Sequence, residues 1–155
     1  MSTSHDTAAA VKTLIYGATL SKTFDPRFVY DTDLPLQEAD TLHVDVVLAG
    51  LSCAPDSRVS LQYRVLVDIA VRYRFGTSEQ ETDGSIDVDE IEEYVALLEE
   101  ICELLADPDN RRLTTKTAAT WVGNEIRFPW VPDHLRSHRQ YTGILRATYL
   151  VCKDV

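Results

Sequence analysis

The sequence predicts an α+β fold: a mostly antiparallel sheet of long strands, one long helix packed across a face, a short N-terminal helix and an extended arm. Three observations predict it. Between residues 59 and 75 every odd position is apolar (Val59, Leu61, Tyr63, Val65, Val67, Ile69, Val71, Tyr73, Phe75). Successive side chains on a strand point to opposite faces, so a period of two marks a strand with one apolar and one largely polar face. Residues 88–106 instead repeat apolar side chains at spacings of three and four, the pattern of an amphipathic helix. Residues 141–152 return to alternation, with Tyr141, Leu145, Ala147, Tyr149 and Val151 opposing Thr142, Arg146 and Thr148. No internal repeat or low-complexity linker interrupts the chain. Its 155 residues read as one domain, with a helix and arm over 1–41 and an α+β core over 42–155.

Taken in order, residues 6–20 allow a short helix. Val11, Leu14, Ile15 and Ala18 share a face, Asp6 or Thr7 is placed to cap it, and Gly17 weakens it. Pro26, Pro35 and several aspartates make 21–41 an irregular arm with a short strand at 27–30. Residues 42–48 alternate as a compact strand. Gly50, Pro55 and Asp56 then mark 49–57 as a hairpin loop. The strand at 59–75 would reach about 55 Å at roughly 3.3 Å per residue. Ordinary strands are about 3–10 residues long, so this one must curl, bend at a bulge or outrun its own domain. Self-assembly is therefore the first expectation.

Beyond an acidic stretch at 76–85, Asp87 with Glu90 three residues on gives an N-cap for the helix at 88–106. Ile91, Val95 (with Tyr94), Leu98, Ile101, Cys102 and Leu105 form its apolar stripe. Glu92, Glu93, Glu99, Glu100 and Glu103 form its wet face, and Asp107-Pro108-Asp109 ends it. Residues 116–122 and 125–128, joined at Gly123-Asn124, read as a hairpin. A break from Pro129 to Pro132 and a helical turn at 133–139 precede the closing strand.

Composition excludes several classes. The chain carries 15 basic against 25 acidic residues, a net charge of −10. Gripping nucleic acid requires clustered Lys and Arg that displace counterions, and no such cluster is present. A like-charged surface would instead let DNA pass without sticking. No stretch approaches the roughly 20 apolar residues of a membrane span, and the first residues show no basic-then-apolar secretory pattern. Cys53, Cys102 and Cys152 are far apart and odd in number, so they read as reduced thiols, with Cys102 and Cys152 as small core residues.

Candidate chemistry is sparse. Residues 79–90 approach a calcium loop, with Glu79, Glu81, Asp83, Asp87 and Glu90 at ligand places and Gly84 at the turn. A strand rather than a helix enters this segment, Glu79 is long for the first place, and no second loop exists to pair with it. The alternative reading is an acidic strand-to-helix connection whose charge suits a helix N-terminus. His134 and His138, four apart, share a helical face, but Asp133 alone stands near them as a further ligand. Nucleophile-elbow, phosphate-loop and dinucleotide motifs are absent, so no enzyme activity, cofactor or metal is expected. Arg64, Asp68, Arg72 and Arg74 share the polar face of the long strand. They form either a solvated surface or a strip that pairs with an adjacent copy. Trp130 is either a core plug or an exposed interface anchor.

The order of "LHVDVVLAG", a turn, "SLQYRVLVDIAVRYRF", the capped helix "IDVDEIEEYVALLEEICELLADP" and the closing "PDHLRSHRQYTGILRATYLV" resembles the small minor structural proteins of tailed bacteriophages. The tail-terminator or tail-completion group is closest, over residues 42–151; the arm is not covered. The resemblance implies a homo-oligomeric ring, commonly a hexamer, stacked on the last ring of the tail-tube protein and joined to neck or connector proteins. In that family the sheet contributes to a channel for the genomic DNA and the helix packs outside it. It also implies a virion location after synthesis in the host cytoplasm, with no membrane partner; the subunit contacts expected from the strand pattern and the aromatic are Arg64, Asp68, Arg72, Arg74 and Trp130. Three alternatives stand beside it: a head-closure or connector ring, a calcium-regulated binding module, and a small hydrolase assembled from distant residues. Calorimetry separates the calcium reading. Titration of millimolar calcium should give no heat with either wild type or Asp83→Ala; a saturable heat lost in Asp83→Ala would establish a calcium loop instead.

Overall fold

Ser2 opens the first helix, α1 (Thr3–Gly17): its hydroxyl accepts a hydrogen bond from the His5 N–H at 3.2 Å, which satisfies one of the helix's open amides. The helix starts earlier than expected because Ser2, rather than Asp6 or Thr7, is the cap. In the computed structural model, residues 2–30, 41–76, 86–113 and 118–154 are described. After α1 come β1 (Arg27–Val29), β2 (His43–Ser57), β3 (Ser60–Arg74), α2 (Val88–Ala106), β4 (Thr120–Phe128), α3 (Pro132–His138) and β5 (Gln140–Asp154). The strands form one sheet in the order β1-β2-β3-β5-β4. Every pairing is antiparallel except β1 with β2. The predicted α+β class, with a mostly antiparallel sheet, a long helix and a short N-terminal one, is the observed class.

β2, β3 and β5 are each 15 residues long. β3 holds the alternation read from sequence: Val65, Val67, Ile69 and Val71 are buried on one face. α1 and α2 both pack on that face, where Val11 and Ile15 of α1 and Leu97, Leu98, Ile101 and Leu105 of α2 join a single apolar cluster. The α2 stripe is centred one position away from that expected. Tyr94 is buried together with Leu97, which the expected stripe left out, while Ile91, Val95 and Cys102 lie at the margin. Tyr73 stacks on Tyr94 at 4.7 Å between ring centroids, and Phe75 meets both rings edge-on, which ties the start of α2 to the end of β3. Burial raises the Tyr94, Tyr141 and Tyr149 phenols well above the ordinary tyrosine range.

Two expected turns are strand. The segment at 49–57 continues β2 as far as Ser57, with bulges that absorb Ala49 and Asp56. Pro55 is tolerated because β2 beyond Val47 has no strand on its outer side among the described residues, and an edge does not need every amide. The real turn is two residues, Arg58-Val59, where the Ser57 hydroxyl accepts from the Val59 N–H at 3.2 Å. Gly123-Asn124 likewise lies inside β4. There the Asn124 side chain is engaged at long range. Its Nδ2 donates to the Cys102 carbonyl at 2.9 Å, and its Oδ1 accepts from Trp121 Nε1 at 2.9 Å. Cys152, expected in the core, is exposed because it stands opposite Gln62 on the other sheet face from its buried neighbour Val151.

Gly143 is required on β5. A Cβ there would collide with the Tyr141 hydroxyl and stand 3.1 Å from Leu98 Cδ2. Tyr141 is fixed in place by donating to the Pro129 carbonyl at 2.6 Å. Gly143→Ala should therefore lower unfolding free energy by about 1–3 kcal/mol in chemical denaturation. An unchanged midpoint would show that Tyr141 moves aside without cost.

Candidate functional site

The sheet face opposite α1 and α2 carries the charged residues singled out from sequence, and it pairs them within the chain. Cross-strand neighbours on one face lie close enough for side chains to meet, so register decides the partners. Asp68 stands opposite Arg146, and its carboxylate accepts from Arg146 Nε at 2.8 Å and Nη2 at 3.1 Å, a two-pronged pair. That hydrogen bond raises Arg146 above its usual value. Asp45 of β2, fully buried, stands opposite Arg27 of β1 and accepts from its Nε at 3.0 Å and from Arg72 Nη2 at 2.5 Å.

The strip Arg64, Asp68, Arg72, Arg74 is thus divided. Arg72 is buried and held by Asp45, which corrects its expected place on an open contact face; Asp68 is half-buried and held by Arg146; Arg64 and Arg74 are exposed. Sequence reading missed Asp45, Arg27 and Arg146. Each is remote in the chain from its partner, and only strand order reveals the pairing. Trp130 is 48% exposed, so the exposed alternative holds and the core plug does not.

The other candidates separate. Asp87 caps α2, its carboxylate accepting from the Asp89 N–H at 2.9 Å, and Glu90 lies in the first turn. Glu79, Glu81 and Asp83 lie outside the described residues. His134 Nδ1 is within 2.8 Å of the Thr142 hydroxyl, and burial, then the neighbouring His138, holds its imidazole below the usual range. The two rings meet edge-on with centroids 6.2 Å apart. Among the described residues no three His, Cys, Asp or Glu side chains converge as a metal site. A cleft of about 900 Å³ between α1 and the end of α2 is lined mainly by small and apolar side chains, including Ala9, Thr13, Gly17 and Leu104.

What stands out is surface left uncovered. From Leu51 to Val59 every residue is exposed, with Leu51 at 54% and Val59 at 66%. Here β2, β3 and the end of β5 continue as a three-stranded ribbon, Cys53 facing Tyr63 and Tyr63 facing Val151. On the far edge of the sheet Val122 and Phe128 of β4 are exposed, and so is Trp130 two residues beyond Phe128. These positions, with Arg64 and Arg74 of the charged strip, are exposed. No protein-family model matches the chain, and no curated protein matches it in sequence. Among the described residues no helix is long and apolar enough to cross a membrane.

Burial orders the two charge clusters. Asp45→Ala takes the carboxylate from a buried guanidinium and should cost about 3 kcal/mol of stability. Asp68→Ala, at a pair that is only partly buried, should cost less, about 1 kcal/mol. Urea denaturation of both variants measures the difference, and equal losses would contradict the ordering.

Proposed function

We propose that this chain is a structural subunit of a virion ring at the head–tail junction of a tailed bacteriophage, a tail terminator that caps the tail tube and presents a docking face to the neck. The observation that carries the reading is the overhanging ribbon. Fifteen strand residues span roughly 50 Å. The 19 residues of α2 span roughly 29 Å even if laid along the strands. The helical layer is too short for the sheet it covers. A chain that invests in strands of this length, with Leu51 and Val59 outside the core, has surface suited to neighbouring copies.

Two further features agree. The whole chain is strongly acidic, so a channel built from it would not hold DNA by its phosphates. The order of elements is also that of the tail-terminator resemblance, now with a continuous β2 in place of a strand and loop. Growth of a tube ends when a ring adds whose outer face does not reproduce the interface it has just used. Such a role requires no catalytic group.

Negative-stain microscopy and sedimentation test the reading. The purified protein should form annuli with a central hole, and added to growing tail tubes it should bind one end and stop elongation. Rings that bind neck components but never tubes would assign the chain to head closure instead. A protein that stays monomeric and binds neither would overturn the proposal.

A further inference from the structure

We infer that copies of this chain join by strand pairing, the outer edge of β4 in one copy receiving the distal outer edge of β2 from the next. The two edges lie on opposite sides of one sheet. β1 covers β2 only from Asp45 to Val47, and among the described residues no strand pairs with the rest of its outer side. Among the described residues β4 is engaged on its outer side only at its start, where Arg112 bridges Thr120 and the Trp121 N–H donates to the Arg111 carbonyl at 2.6 Å. Beyond these points each edge carries backbone donors and acceptors in strand geometry.

Proteins that must remain single blunt such edges, often with lysine. Neither β2 nor β4 contains one. Pro55 and the bulges at Ala49, Asp56, Val122 and Arg127 shorten the usable ladder but leave 50–54 and 123–126 regular. These stretches are five and four residues long, close to an ordinary strand. Apolar surface flanks both: Leu51 on β2, and Val122 at 46% and Phe128 at 47% exposure on β4.

Direction follows from topology. β2 and β5 run one way, β3 and β4 the other. A copy carried round an axis along the strands keeps these directions, so β4 meets the neighbour's β2 antiparallel, as every long pair already does inside the chain. Tilt of the strands to that axis supplies the stagger that moves β4 past β1. The edges differ from one another, so the contact is head-to-tail and closes into a ring when the rotation closes. Closure alone rests on the ring reading above; the pairing does not.

Cys53 lies in the regular stretch of β2 and is exposed, which gives a direct test. In a Cys152→Ser background, Val122→Cys and Glu125→Cys should each form a ladder of covalent multimers with a short bis-maleimide. The ladder should vanish when Cys53→Ser is added. Phe128→Lys should weaken self-association about tenfold with an unchanged far-UV spectrum, as an edge charge does. Absence of a ladder in both cysteine variants, or a ladder that survives Cys53→Ser, would overturn the pairing. Rings without the Cys53-dependent ladder would remove this interface and leave the ring reading standing. A Cys53-dependent ladder in a protein that never caps tubes would uphold the pairing and remove the terminator reading.

Discussion

Three antiparallel strands of 15 residues set a length that no other described element matches. Backbone rise fixes the disparity: a strand advances more than twice as far per residue as a helix. α1 and α2 cover the middle of one face, and there the packing is complete, with Val67, Ile69, Leu97, Leu98 and Ile101 buried together. The excess sheet emerges at one end as the β2–β3–β5 ribbon. Its register is continuous from the core outward, so the ribbon is held by the same ladder that organises the interior.

The same ladder fixes the electrostatics. A one-residue slip of β5 against β3 would move Arg146 away from Asp68 and turn Tyr149 and Leu145 out of the core. Apolar and charged layers therefore specify one register together. Asp45 adds a second lock, because it joins Arg27 of the parallel edge strand to Arg72 of the central strand. Internal pairing of this kind engages Asp45, Asp68, Arg27, Arg72 and Arg146 within the chain, while exposed apolar surface lies at the strand edges and the ribbon tip.

Much of the fold was legible because its signals are local. Asp87 and the three-to-four spacing after it define α2 at 88–106 without any knowledge of its neighbours, and the odd-numbered apolar run defines β3. The errors fall where distant contacts overrule local chemistry. Gly50, Pro55 and Asp56 signal a loop, yet an edge strand with bulges accommodates all three. Gly123-Asn124 signals a turn, yet Asn124 is anchored to Cys102 on α2, 22 residues away in sequence. The charged strip was visible as residues but not as pairs, since Asp68 and Arg146 are 78 positions apart. Exposure of Trp130, Val122 and Phe128 depends on where β4 ends and on what lies beside it, which no window of sequence contains.

The central claim is that the overhanging ribbon and the open strand edges are completed by neighbouring copies. Amide hydrogen exchange across a series of protein concentrations tests it most directly. The account predicts that protection at 50–57 and 122–128 rises with concentration while the α2 and β3 core amides stay constant. Rapid, concentration-independent exchange of those edge amides in a protein that is already assembled would contradict it.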